Sequence, residues 1–159
     1  MESKVRLSTL SLILTVAVTV ILLVASCYYL WRGEDKGYLI GIILFFMIIS
    51  GMLFGPVYIS ADNDNLTVRS FIRRQRIPIS DIKDIGLYCP GRDSMRLFGS
   101  GGYMGHWGVF RAGDIGKYVA YYGKASECFL VRMKNGVNYL LSCENPDEMV
   151  GYIRSRLKH

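Results

Sequence analysis

A chain of 159 residues with a formal net charge of +6 and 51% hydrophobic residues has room for one modest domain and short accessories. Its mean hydropathy of +0.25 is high for a water-soluble domain, and its four cysteines show neither metal-type spacing nor a paired framework. Free thiols are the default, one bridge stays open, and no metal, cofactor or nucleic-acid partner is expected.

The hydropathy has its source in the first 59 residues. "LSTLSLILTVAVTVILLVASCYYLW" runs uncharged from Leu7 to Trp31, and "YLIGIILFFMIISGMLFGPVYI" from Tyr38 to Ile59. A helix rising 1.5 Å per residue crosses the hydrocarbon of a bilayer in roughly 20 residues. Both stretches suffice, and the spacing predicts a transmembrane hairpin within residues 1–59, with spans at about 7–31 and 38–56. Tyr28, Tyr29, Trp31 and Tyr38 suit the interface at one end, and "RGEDKG" at 32–37 is a turn. Lys4 and Arg6 before the first span, with Arg69, Arg73, Arg74 and Arg76 after the second, outweigh Arg32 and Lys36 in the turn. The excess predicts both termini in the cytoplasm and a multi-pass protein of the bacterial inner membrane. "LLVASC", ending at Cys27, also has the look of a lipoprotein cleavage box, and that topology is the competing one. Gly37, Gly41, Gly51 and Gly55 carry the four-residue spacing that lets membrane helices approach closely. Their partner is the other half of the hairpin or a second copy of the chain.

Residues 60–159 hold fifteen Lys/Arg against ten Asp/Glu and read as one small domain, with strands first and a helix last. "PVYISA" and "LTVRSF" flank the polar turn "DNDN", and "RRQRIPIS" alternates through Ile77 and Ile79. "DIKDIGLYC" is a further strand that could begin with a turn, and "KYVAYY" is another. "ECFLVRMKNGVNYLLSC" reads as a hairpin with a two-residue Asn135-Gly136 turn. A helix over 146–157 follows, with Asn145 as cap, Pro146 at its first position and Asp147 and Glu148 in its first turn. Met149, Val150, Ile153 and Leu157 form its apolar stripe, and Arg154, Arg156 and Lys158 sit at its C-terminal end.

"RLFGSGGYMGHWGVFRAGDIGKYVAYYG", residues 96–123, holds eight of the seventeen glycines. It is not a phosphate loop: Lys117 is followed by Tyr118 where serine or threonine would meet magnesium, and a strand follows where a helix is needed. It reads as an insertion over 96–116. Its Tyr103, Trp107 and Phe110 either fold over the domain or meet a partner or lipid interface, with Arg96 and Arg111 flanking them. His106 lies near Asp93 and Asp114 in sequence, but no nucleophile motif accompanies it, and no enzyme is expected.

Seven strands and a terminal helix, together with this run, "RIPISDIKDI" before it and "NPDEMVGYIRSRL" after it, resemble the bacterial PH-domain proteins that carry an N-terminal membrane hairpin. The resemblance implies an α+β fold: a seven-stranded bent barrel or sandwich over 60–159, capped by one helix and held at the membrane. It implies a binding or scaffolding module rather than a reaction. Arg73, Arg74 and Arg76 do not reproduce the basic motif of eukaryotic phosphoinositide-binding relatives. The ligand is therefore left as anionic lipid or a protein segment, with assembly through the helices into a larger membrane complex as the alternative.

Overall fold

The computed structural model describes the chain except residues 33, 34, 72, 92, 158 and 159, with backbone alone at 35, 36 and 52. The fold is α+β: a short strand, two helices, nine further strands and a terminal helix. In chain order these are β1 (Glu2–Lys4), α1 (Thr9–Arg32), α2 (Asp35–Phe54), β2 (Pro56–Ala61), β3 (Asn65–Ser70), β4 (Arg74–Pro78), β5 (Ile82–Leu87), β6 (Met95–Gly102), β7 (Gly105–Ala112), β8 (Gly116–Tyr122), β9 (Cys128–Met133), β10 (Asn138–Ser142) and α3 (Pro146–Arg156).

The strands form two sheets, ordered β1-β2-β3-β4 and β5-β9-β10-β8-β7-β6. Alternation decides what each contributes. Ile59, Leu66, Val68 and Ile77 of the first sheet face Ile85, Phe129, Val131 and Leu141 of the second, and Met149, Val150 and Ile153 of α3 close the same core. Arg154 fixes α3 to β5 by donating to the Ile85 carbonyl at 2.9 Å. The second sheet is buried on its other face too, where Phe110, Tyr118, Tyr122, Leu130 and Leu140 cluster under Tyr88 and Ile115.

Ten strands stand where seven were expected, and three features account for the difference. β6 and β7 lie within and just ahead of what reads as an insertion, because glycines at 99, 101, 102, 105 and 108 interrupt the apolar alternation that marks a strand. β1 is three polar or charged residues and has no periodicity to read. It nevertheless pairs with β2 (Glu2 with Ser60, Lys4 with Tyr58), and the Glu144 amide bonds the Lys4 carbonyl at 3.0 Å. The first residues therefore seal the gap between the two sheets. The boundary expected at residue 59/60 falls inside β2, and the helical segment is inserted between two neighbouring strands.

Smaller departures have local causes. α1 begins at Thr9 because the Ser8 hydroxyl accepts the Ser11 amide at 3.2 Å, and α2 ends at Phe54 because Pro56 already belongs to β2. Part of the expected 32–37 turn lies outside the described residues, as does Lys158. The β9–β10 connection is a three-residue loop rather than two: Met133 bonds Val137, and Gly136 takes φ +84°. Asn145 precedes α3 but makes no side-chain cap. Among the described residues one helix, Thr9–Arg32, is long and apolar enough to cross a membrane, and the apolar part of α2, Gly37–Gly51, is shorter.

Candidate functional site

Two hairpins of the domain approach the feet of α1 and α2. The first is β3–β4, whose outer face is basic by register. Lys4, Tyr58, Arg69 and Arg74 lie abreast across four strands, and Glu2, Ser60, Thr67 and Arg76 form the next row. Neighbouring strands are about 4.8 Å apart, so the row sets Arg69 and Arg74 side by side, with Tyr58 between Arg69 and Lys4, at the end of the sheet where the chain enters α1 and leaves α2. The Arg69 guanidinium lies over the Tyr58 ring at 4.7 Å. A groove of about 600 Å³ on this face is lined by Arg69, Arg74 and Arg76 and also by Glu2, Asp62 and Thr67, among others. The ion pairs seen among the described residues, Arg6–Glu144, Lys124–Glu127 and Arg132–Asp84, use none of these cations. Arg69 directly opposite Arg74 is a like-charge pair, an arrangement that costs stability unless an anion lies between.

At the β3–β4 turn the Arg73 carbonyl accepts the Ser70 amide at 2.8 Å, and Phe71 is 62% exposed. Arg73 turns away from the groove, over the Phe54 ring at 5.5 Å. There it opposes the upward push that burial gives the Tyr121 hydroxyl.

The second approach is the glycine-rich hairpin β6–β7. Gly102 pairs with Gly105 around a Tyr103-Met104 turn, and Met104 holds φ +55°, a region where glycine ordinarily sits. The turn is held between the helices. The Met104 amide donates to Thr15 Oγ1 at 2.8 Å, the Tyr103 and Thr19 hydroxyls bond at 3.3 Å, and Trp107 stacks on Phe54 at 5.2 Å. A Cβ at Gly51 would strike the Tyr103 ring, and one at Gly55 would meet Met104 at 2.9 Å. Halfway down the hairpin Gly99 faces Gly108, both at positive φ, and a Cβ on either would run into the other strand's carbonyl oxygen. These glycines admit backbone against backbone.

The domain that makes both approaches matches a family model described as Bacterial PH domain over residues 57–157. The chain belongs to the bacterial PH domain family. No curated protein and no solved structure matches it.

Within the PH domain the expected contact residues separate. Arg74 and Arg76 share the groove on the first sheet, while Arg73 sits by Phe54. Arg96 and Arg111 are exposed on the second sheet, away from that groove. Phe110 is 4% exposed and belongs to the second core, so it offers no surface to a partner. Tyr103 and Trp107 are occupied by the chain's own helices rather than folded over the barrel. Of the glycines, Gly37 is buried, and Gly41 packs on Leu30, with Ser26 Oγ donating to its carbonyl at 3.0 Å. Gly51 and Gly55 serve the hairpin tip and not the other helix. His106 lies on β7 rather than in a loop, stacked on Tyr122 at 4.5 Å, and burial holds its ring below the ordinary histidine range. Its sequence neighbours are engaged elsewhere: Asp93 accepts the Gly113 amide and Asp114 the Tyr88 hydroxyl.

Lys4, Tyr58, Arg69 and Phe71 are the site residues that sequence reasoning misses. Arg69 and Tyr58 have a signal in hindsight, since strand alternation puts them on the polar face opposite Ile59 and Val68. Lys4 has none, because its strand is visible only through its pairing.

Proposed function

We propose that this chain is a membrane-anchored binding module that holds a PH domain against the cytoplasmic face of the bacterial inner membrane and recognises anionic lipid there. The observation that carries the reading is the outward row Lys4–Arg69–Arg74, without acidic partners among the described residues, at the end of the sheet nearest the helices. Cations in such a position gain about 1 kcal/mol each from an anionic leaflet. The β1–β2 pairing supports two crossings, because it returns the chain to the side it left. The Lys/Arg excess on that side supports its being cytoplasmic. Recognition of a protein segment has its own support in β6, the edge of the second sheet, where Met95, Leu97 and Phe98 are exposed. Assembly into a larger complex would use the outward Leu, Ile and Phe of the helices, since Gly41, Gly51 and Gly55 are filled from within the chain.

The test is reconstitution of the full-length protein into nanodiscs of mixed anionic and zwitterionic lipid, then release in mild detergent and identification of the lipid retained. Anionic lipid should be enriched over the input, less so as salt rises. Retention that mirrors the input sinks the lipid reading, and a reporter at the C-terminus active only outside the cell sinks the topology.

A further inference from the structure

We infer that the β6–β7 tip, Gly102 to Met104, is a third membrane-embedded element, set among the acyl chains of the same leaflet as the helix feet. The inference rests on the two crossings proposed above and adds to them an element of the PH domain itself, independent of the cation row.

Chain length sets the depth. Arg32 ends α1 on the far side, and crossing about 30 Å of hydrocarbon at about 1.5 Å per residue takes roughly 20 residues. Counted back from Trp31, that places the near boundary at Leu12. Thr15 then lies about 5 Å inside the hydrocarbon and Thr19 about 10 Å inside. Tilt of α1 lengthens the stretch required and moves the boundary toward Thr9, and a bilayer of about 27 Å moves it only to Leu14. α2 agrees, because from Tyr38 to its end at Phe54 it rises about 25 Å, which places Gly51 inside as well. The tip is held at these depths: the Met104 amide donates to Thr15 Oγ1 at 2.8 Å, the Tyr103 and Thr19 hydroxyls bond at 3.3 Å, and the Tyr103 ring lies against Gly51. Gly102 faces Leu14, whereas Gly105 is already beside Leu7, ahead of α1. Immersion is therefore confined to the turn.

The tip is equipped for a place without water. Hydrocarbon offers a backbone nothing to bond, so irregular chain at that depth must be satisfied from within the protein. The Met104 amide has Thr15, whose own hydroxyl donates to the Ser11 carbonyl at 2.6 Å. The Tyr103 carbonyl accepts both Ser100 Oγ at 2.8 Å and Trp107 Nε1 at 3.2 Å. No Lys, Arg, Asp or Glu stands between Arg96 and Arg111, so the hairpin brings no fixed charge into the leaflet. Trp107, stacked on Phe54 at the foot of α2, takes the boundary position that suits an indole. The same turn in water would find its partners in the solvent.

The test uses the unmodified full-length protein in nanodiscs doped with a phosphatidylcholine that carries a diazirine on one acyl chain, with adducts mapped residue by residue after irradiation. Depth and simple exposure predict opposite orders. Met95 and Phe98, farther from the tip on β6, are 68% and 73% exposed, whereas Tyr103 and Met104 are half-buried. Met104 is within reach of the probe because it lines an apolar groove together with the exposed Leu12. It should be labelled several-fold over Met95 and Phe98, and about as strongly as Leu12. Ile21, exposed farther along α1, reports the crossing itself. Label at Ile21 with Met104 no higher than Met95 and Phe98 overturns the immersed tip and leaves the crossings standing. Absence of label at both Ile21 and Leu12 sinks the crossings and the inference together.

Discussion

The two hairpins that reach the helices solve opposite problems. β6–β7 is glycine-rich and consumed at its tip: Tyr103, Met104 and Trp107 are packed on α1 and α2, and Thr15 and Thr19 hold their polar atoms. β3–β4 is cationic and open, with an exposed phenylalanine at its turn and arginines that meet no carboxylate among the described residues. The lesson is that the most unusual stretch of sequence is not the most available one. Glycine repetition marks where backbone must pass close to something, and here that something is the protein itself. Ordinary-looking alternation on β2, β3 and β4 builds the surface that the chain leaves open.

The contrast predicts a steep difference in tolerance to substitution, measured as unfolding of the full-length protein in detergent. Gly108→Val should be the most damaging, by at least about 3 kcal/mol, since it combines a positive φ with a clash against the backbone of Phe98. Stability close to that of the wild type would show that β6 and β7 pair in a different register.

Gly51→Leu comes next, at about 1–3 kcal/mol, because it overfills the space held by Tyr103. In a Trp31→Phe background Trp107 is the remaining tryptophan, and its emission should shift to the red as it leaves Phe54. An unchanged spectrum would mean that the docking does not depend on the missing Cβ.

A smaller effect is expected with pH. Because burial depresses the His106 ring relative to its unfolded value of 6.5, the unfolded state binds the proton first. This contribution to stability is complete above about pH 6.5 and is lost as pH falls toward the lower folded value. His106→Phe should flatten the acid limb of stability against pH, and identical limbs would refute the assignment.

Arg74→Gln should have the smallest effect on stability, within about 0.5 kcal/mol and on the favourable side, since it removes a like-charge neighbour of Arg69. A large loss of stability would place Arg74 in the structural half of the comparison, beside the glycines.

Most of the fold is legible where a strand buries one face. Val68 and Ile77 announce β3 and β4, and the stripe Met149, Val150, Ile153 announces α3. β9 is readable for a different reason: it is buried along nearly its whole length and simply appears apolar. Legibility fails where the backbone, not the side chains, makes the contact. Gly99 and Gly108 lie in a ladder with no side chain to declare it, and β1 exists through hydrogen bonds to β2 and Glu144 that no residue pattern encodes. The site divides likewise. Arg74 and Arg76 are visible as a basic cluster, but Arg73, in the same cluster, points elsewhere because it belongs to the turn and not the ladder. Spacing of four residues singles out Gly51 and Gly55 as helix-packing positions, and it cannot say that a hairpin tip, rather than a helix, fills them.

The pairing of β1 with β2 recasts the helices as a connection. Viewed from the sheet, residues 6–56 link two adjacent antiparallel strands whose ends at Val5 and Val57 already share a hydrogen bond of 2.9 Å. A two- to four-residue turn closes such a pair equally well in geometric terms, and a shorter loop lowers the entropy of closure. Replacing the helical segment by that turn is therefore the natural excision for obtaining the PH domain free of its helices. A fragment beginning at residue 60 would instead discard β1 and most of β2, exposing the core around Leu66 and Val68 along a new edge.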